Sequence, residues 1–110
     1  MTIKKLLIAN RGEIASRIIR SAHDMGIATV AIYTEPDSNS PYVRQANEAF
    51  KLETSYLDSK EILNIASKAN VDAIHPGYGF LSENYNFANQ VKKANLKSVS
   101  YTHLRAHETS

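Results

Sequence analysis

Short apolar runs alternate with helix-period segments along this chain, and the alternation constrains the fold more than any other feature. The runs predicted to be strands are residues 6–9, 29–33, 49–52 and 73–74. Helical patterns begin at Gly12, at Ser59 and near Glu83. Strands that alternate with helices join by right-handed crossovers into a parallel sheet, and helices cover both of its faces. The sequence therefore predicts an α/β fold.

The helical segments also predict buried faces and helix ends. In the first segment the predicted apolar stripe is Ile14, Ile18, Ala22 and Met25, with Ala15 and Ile19 beside it. Gly26 stands where a helix-terminating glycine belongs. Ser59 is the predicted N-cap of the second helix. The apolar face of the last one is predicted to be Phe87, Ala88, Val91 and Ala94. Residues 35–41 are predicted to be a loop from their composition.

Composition excludes several classes of protein. The 110 residues are enough for one domain, and a net charge of +2 is too small to indicate a nucleic-acid or anionic-membrane partner. The absence of cysteine excludes disulfides and thiolate sites and fits a reducing compartment. No apolar run approaches the ~20 residues of a membrane span. We therefore expect a cytoplasmic protein.

Residues 75–84, at the carboxyl end of a predicted strand, form the turn best suited to bind a ligand. Gly77 and Gly79 permit backbone conformations closed to other residues. Ligands of open α/β sheets bind outside the carboxyl ends of the strands, where Tyr78 would offer its hydroxyl to a ligand or a neighbouring domain. The alternative is that Tyr78 packs over the sheet edge. His75 is expected to be a hydrogen-bonded core residue, although a histidine can titrate near neutrality.

The turn between the first strand and the first helix is a second candidate site. A dinucleotide-binding domain carries three glycines there, and this chain has Gly12 alone. Glu13 places a carboxylate in the first helical turn, where it stabilises the helix but repels phosphate. Glu35 follows at about the distance of a ribose-binding acid, which keeps a dinucleotide-binding half-domain of a dehydrogenase open. The alternative is that Asn10, Arg11 and Glu13 join the strand end to the helix by hydrogen bonds and charge pairing.

A row of charges follows the first helix, with Glu13 and Arg17, and Arg20 and Asp24, at i, i+4 spacing. Such a row is either a solvated face or a subunit interface. The interface interpretation leaves open a stand-alone interaction module that uses Arg17 and Arg20. The sequence contains no nucleophile–base pair, phosphate-binding loop or metal-ligand spacing, so neither a metal site nor a catalytic residue is predicted.

Several segments together closely resemble the start of biotin carboxylases. They are residues 7–15, 17–20, 29–33, 55–57, 72–74 and 75–84, and they occur in matching order and spacing. The resemblance covers residues 3 to about 97. Tyr42 stands where the family usually has His, Asn47 stands where Asp is usual, and the segment between Leu52 and Ser55 is shorter than in most members.

The resemblance implies a Rossmann-like parallel sheet with helices on both faces, the pre-ATP-grasp domain, followed by an ATP-grasp module. The family's ligase reaction carboxylates biotin on a carrier with ATP, Mg²⁺ and bicarbonate. The final acceptor (acetyl-CoA, another acyl-CoA or pyruvate) stays open, and so does a role in fatty acid biosynthesis. Implied partners are the ATP-grasp remainder, a biotin carrier domain or protein, a carboxyltransferase and a second subunit in a homodimer.

Only a few residue roles follow from the resemblance. Tyr78, between Gly77 and Gly79, would lie by the biotin ureido ring and bicarbonate. Arg20 matches a position at the subunit interface, and Asp24 stands where the partner acid is Glu. The family's ATP, metal and bicarbonate ligands have no counterpart in this sequence, so no catalytic residue is expected here and the fragment alone should be inactive.

The end of the chain has a different character. Residues 99–109 resemble the in-frame translation of a sequencing adapter and have no apolar face. We therefore expect residues 1–97 to be an incomplete N-terminal domain and residues 98–110 to be a non-native adapter translation, of which the last ~10 residues should not pack on the domain.

Overall fold

The computed structural model describes residues 3–77 and 85–98, which form a five-stranded parallel sheet flanked by helices. In chain order the elements are β1 (Lys5–Ile8), α1 (Gly12–Asp24), β2 (Ala28–Tyr33), a 3-10 turn (Glu35–Asp37), α2 (Pro41–Gln45), β3 (Glu48–Lys51), α3 (Ser59–Lys68), β4 (Ala73–His75), α4 (Tyr85–Lys93) and β5 (Lys97–Ser98). The strands lie in the order β3-β2-β1-β4-β5, and every neighbouring pair is parallel. The predicted α/β class is confirmed.

Successive side chains along the strands belong to two separate hydrophobic cores, one on each face of the sheet. Leu7, Val30 and Ile32 face one side, where they belong to a cluster with side chains of α3 and α4. Leu6 and Ile8 face the opposite side and belong to a cluster with side chains of α1 and α2. This alternation follows from the two-residue period of a strand and places helices on both faces. None of the helices that the structure describes is long and apolar enough to cross a membrane.

One residue of the predicted α1 stripe is misplaced. Ile14 is 44% exposed, whereas Ala15, Ile18, Ile19 and Ala22 are buried against the sheet. Consecutive helical residues point about 100° apart, so a helix cannot bury its whole apolar sector against a flat sheet. Docking selects the stripe that contains both Ile18 and Ile19, and Ile14 falls outside it.

Two further predictions were wrong in detail. Phe87 and Val91 are buried on α4, but Ala88 and Ala94 are exposed. Residues 35–41 are not a plain loop, because they contain the 3-10 turn and the start of α2. Pro41 takes the first helical position of α2, where its missing N–H is not needed. The predicted glycine end of α1 has the expected geometry, with Gly26 at φ +75°.

The N-cap of α3 is Asp58 rather than the predicted Ser59. Asp58 Oδ1 accepts the Glu61 N–H at 3.1 Å, and its Oδ2 accepts the Thr54 hydroxyl at 2.7 Å. These hydrogen bonds, from Thr54 first and then from Glu61, hold the pKa of Asp58 below its usual range. Ser59 is the first residue of the helix itself.

Polar side chains fasten the amino edge of the sheet. Asp72 Oδ2 accepts the N–H groups of Lys4 and Lys5 at 2.8 and 3.0 Å, which ties the start of β1 to β4. Asn47 Oδ1 accepts the Thr29 N–H at 2.8 Å and lies 3.0 Å from His23 Nε2. These contacts join α1, β2 and β3 at the end of the sheet remote from the predicted ligand turn.

At the carboxyl edge a second network, here named the edge clamp, consists of Arg11, Asp37 and Tyr56. Arg11 donates from Nε to Asp37 Oδ2 at 2.7 Å and from Nη2 to Oδ1 at 3.2 Å. The Tyr56 hydroxyl donates to Asp37 Oδ2 at 2.5 Å, and the guanidinium carbon lies 4.8 Å from the Tyr56 ring centroid. The clamp therefore ties the β1–α1 turn to the 3-10 turn and to the segment before α3.

The Asp58 cap generates a prediction about stability. Asp58→Ala removes the acceptor for the Glu61 N–H and should lower Tm by a few degrees. Ser59→Ala is the matched control and should leave Tm nearly unchanged. Thermal melts followed by circular dichroism would measure both. Equal losses in the two variants would show that Asp58 is not the cap that matters.

The edge clamp generates a prediction about pH. Hydrogen bonds from Arg11, and then from Tyr56, hold the pKa of Asp37 below its usual range. A carboxylate whose pKa is depressed by folding stabilises the protein above its unfolded pKa, and this stability is lost as the pH falls through the folded pKa. Asp37→Asn should therefore cost about 1–2 kcal/mol of unfolding free energy at pH 7, a value discounted for the exposure of Arg11, and much less near pH 3.

Urea denaturation at the two pH values would measure this difference. Glu35→Gln is the matched control, because it removes an exposed ion pair with Lys51 on the same edge. A cost for Asp37→Asn that does not change with pH would show that the carboxylate charge has no part in the clamp.

Candidate functional site

The strand order creates a crevice between the carboxyl ends of β1 and β4. From β1 the chain runs outward through β2 to β3, then crosses to β4 on the other side of β1. The connections that leave β1 and β4 therefore depart toward opposite sides. In open α/β sheets such a switch point is where ligands bind. The crevice is bordered by Asn10 after β1 and by Gly77 after β4.

Asn10 and Gly77 face each other across the crevice. Asn10 is 8% exposed, and a Cβ added to Gly77 would lie 3.5 Å from Asn10 Nδ2 and 3.6 Å from the Ala9 carbonyl oxygen. Those distances are ordinary van der Waals contacts, so a lack of space for a side chain is not the reason for glycine at this position. Gly77 has φ +88°, a conformation that L side chains rarely adopt, and this requirement does select it.

His75 sets the geometry of the turn that follows β4. Its side chain is buried, and Nδ1 accepts the Gly77 N–H at 3.2 Å. Burial lowers the pKa of His75 to about 4, so the imidazole is neutral at physiological pH. This geometry agrees with the prediction of a hydrogen-bonded core residue and not with a group that titrates near neutrality.

The other predicted residues of this turn, Tyr78 and Gly79, lie outside the described residues. Of the three predicted ligand-binding residues, Gly77 is therefore the one that lies within the described residues. It lies at the switch point, in the left-handed conformation expected where the backbone turns sharply away from a strand.

The described residues do not build an ATP or metal site. Gly12 opens α1 at φ +60°, but Glu13 in the first turn opposes a phosphate. Glu35, the acid at ribose-binding distance, is paired instead with Lys51 at 3.0 Å. The nearby carboxylate of Asp37 is paired with Arg11. Within residues 3–77 and 85–98 no group of three or more His, Cys, Asp or Glu side chains could hold a metal ion.

The charge row on α1 is exposed and includes a pair two helical turns apart. Arg20 Nη2 lies 3.5 Å from Glu13 Oε1, two turns away, rather than bonding the predicted partner Asp24. The Arg20 and Glu13 side chains are 59% and 77% exposed, so the pair adds little stability. The face remains accessible to a partner, and the exposed Ile14 lies in its first turn.

Sequence reasoning missed two residues that support this end of the sheet, Asp37 and Tyr56 of the edge clamp. Asp37 fell within a segment predicted to be a loop, and Tyr56 was noted only as part of the family resemblance. Tyr42, whose hydroxyl lies 3.1 Å from that of Tyr56, is buried beside them. A network of single residues from separate segments leaves no periodic signal along a sequence.

Comparison with known proteins agrees with this geometry. The family model for the biotin carboxylase N-terminal domain matches residues 2–101. The biotin-dependent acyl-coenzyme A carboxylase alpha3 subunit of Mycobacterium leprae is 54% identical over 99 residues, and biotin carboxylase 1 of Bacillus subtilis is 50% identical over 102 residues. The matches cover 86% and 88% of this chain but only 17% and 23% of those proteins. The chain thus spans about a fifth of their length.

Solved structures match in the same region. The biotin carboxylase domain of Hydrogenobacter thermophilus 2-oxoglutarate carboxylase, solved as a dimer with MgADP, ADP and bicarbonate, superposes with a TM-score of 0.83 at 43% identity over 87% of this chain and 22% of that one. The pyruvate carboxylase of Rhizobium etli superposes with a TM-score of 0.85 at 35% identity over 96% and 12%. With the parallel sheet, the switch-point crevice and the match along residues 2–101 together, the chain belongs to the biotin carboxylase N-terminal domain family.

Proposed function

We propose that this chain is the N-terminal part of a ligase that carboxylates carrier-bound biotin with ATP and bicarbonate. The observation that carries the proposal is the family match along residues 2–101. It is supported by the solved relative that holds MgADP and bicarbonate and shares 43% identity with this chain. In the complete enzyme, the crevice between β1 and β4 would face the reacting groups.

ATP and Mg²⁺ would be bound by the ATP-grasp remainder of the enzyme. The described residues supply neither a phosphate cradle nor a metal-ligand cluster, so no step of the phosphate chemistry is assigned to them. The 110-residue chain alone is accordingly proposed to be inactive. A biotin carrier and a carboxyltransferase are the proposed further partners, because they must deliver the biotin and use its carboxyl group.

Within this chain, Gly77, Tyr78 and Gly79 are the residues proposed to lie beside biotin and bicarbonate. Gly77 stands at the switch point with φ +88°, and Tyr78 follows it directly in the sequence. The Tyr78 phenol would supply a hydrogen bond to the ureido group and an apolar ring surface.

Arg20 and Asp24 are proposed to belong to a subunit interface of a homodimer. Both lie on the exposed face of α1, and the weak Arg20–Glu13 pair can be exchanged for a partner across an interface at little cost. The exposed Ile14 supplies an apolar contact on the same helix.

Residues 98–110 are proposed to be the translated adapter, with the natural gene continuing differently after residue 97. Sequencing the source DNA across this point tests both proposals together. An ATP-grasp sequence with a glycine-rich lid after residue 97 is the expected result. A natural stop codon at that point would contradict the proposed enzyme and favour a stand-alone interaction module.

In the full-length enzyme, Tyr78→Phe should slow biotin carboxylation about ten- to a hundredfold with little change in Tm. The substitution removes one hydrogen bond to the ureido group, ~1–3 kcal/mol of transition-state stabilisation, and keeps the packing surface of the ring. Steady-state kcat/KM for biotin, measured by ADP release, is the readout.

Tyr78→Ala is the comparison variant, and the 110-residue chain is the blank, which should release no ADP. If Tyr78 only packs over the sheet edge, Tyr78→Phe will be silent and Tyr78→Ala will lower Tm. An unchanged kcat/KM in Tyr78→Phe would remove Tyr78 from the site.

A further inference from the structure

The hydrogen-bond roles within the edge clamp follow from the chemistry of its groups. Asp37 is ionised and can only accept, so the single Tyr56 hydroxyl proton goes to Asp37 Oδ2. The lone pairs of that hydroxyl then face the Thr34 N–H at 3.0 Å and the Tyr42 hydroxyl at 3.1 Å. The Tyr42 proton serves both Tyr56 and the Ile32 carbonyl oxygen, 3.0 Å away. The Tyr56 hydroxyl therefore donates to Asp37 and accepts from Thr34, and these two roles fix its orientation in the clamp.

The clamp is not itself an anion site. Arg11 is 57% exposed, but its guanidinium is engaged by both carboxylate oxygens of Asp37 and lies over the Tyr56 ring. Its charge is therefore neutralised within the chain. An arginine held in this way fixes the backbone that carries it instead of recruiting a ligand.

The backbone held by Arg11 leads directly to the ligand crevice. Its neighbour Asn10 is buried, yet within the described residues Asn10 Oδ1 has no hydrogen-bond partner. The backbone, rather than a hydrogen bond to Oδ1 from the described residues, therefore positions Asn10. It is held on one side by the Ala9 N–H, which donates to the His75 carbonyl at 3.0 Å, and on the other by clamped Arg11. Its carboxamide lies beside Gly77, since a Cβ added there would be 3.5 Å from Asn10 Nδ2 and 3.6 Å from Asn10 Cγ.

We propose that the edge clamp is a positioning device for the start of the ligand turn: Asp37 and Tyr56 act through Arg11 and Asn10 to hold Gly77. Asp37 and Tyr56 are thus positioning residues. The placement of Gly77 follows from the contacts above, and its effect on biotin rests on the proposed function.

Hydrogen exchange in the 110-residue chain tests the structural half. The Gly77 N–H donates to buried His75 Nδ1, so its exchange rate reports the geometry of the turn. Tyr56→Phe keeps the ring and removes the hydroxyl; Asp37→Asn removes the charge. Both should speed Gly77 exchange roughly five- to tenfold relative to the β1 and β2 amides, which report global unfolding.

Two controls separate coupling from general loss of stability. Asn47→Ala breaks the network at the opposite edge of the same strands, and Glu35→Gln breaks an exposed pair at the same edge. Neither should speed Gly77 exchange beyond the β1 and β2 amides. If Asn47→Ala matches Tyr56→Phe, or if Tyr56→Phe leaves Gly77 exchange unchanged relative to those amides, the proposal is overturned.

Kinetics of the full-length enzyme test the functional half. Tyr56→Phe and Asp37→Asn should raise KM for biotin roughly three- to tenfold and leave KM for ATP within about twofold, because ATP binds elsewhere. Wild-type enzyme without biotin-dependent ADP release would refute the proposed function. Active wild type, with both KM values unchanged in the variants, would refute the positioning role alone.

Discussion

The structure depends on β1 being enclosed on all sides. Leu6, Leu7 and Ile8 have no exposed surface, and the strand pairs with β2 along one edge and with β4 along the other. Burial of both faces supplies apolar stabilisation, and the two ladders satisfy the backbone groups that this burial removes from water. The carboxyl end of β1 therefore lies at a defined point. Both borders of the ligand crevice, Asn10 after β1 and Gly77 after β4, are positioned relative to it.

The elements and their buried faces could be predicted because each is a local pattern. Short continuous apolar runs predicted β1 and β2, and helical spacing predicted most of α1 and α3, before any tertiary contact was known. The errors arose where docking decides. Ile14 belongs to the apolar sector of α1 but lies one residue away from the docked stripe. Asp58 and Ser59 can both cap a helix, and the turn from Thr54 selects Asp58.

The position of the candidate ligand turn at the end of a strand could be predicted from the sequence. The side-chain contacts that hold this end of the sheet could not. A turn with two glycines after a buried strand indicates a ligand crevice, because parallel sheets expose functional groups at their carboxyl ends. The residues that steady this edge come from segments far apart in the chain, and each is ordinary in isolation. Arg11 was predicted to knit the strand end to its own helix, yet its partners are Asp37 and the Tyr56 ring. Only folding brings such residues together.

The order β3-β2-β1-β4-β5 also has a consequence for synthesis. One edge of β1 can pair as soon as β2 exists, but the other waits for the segment around Asp72, which accepts the N–H groups of Lys4 and Lys5 across 68 and 67 positions. At ordinary translation rates that interval lasts on the order of three to thirteen seconds. During this interval β1 has one unpaired edge. Such an edge can pair with a strand of another chain and cause aggregation. Lys4 and Lys5 stand at the start of β1, and charged side chains at such positions oppose the docking of a foreign strand.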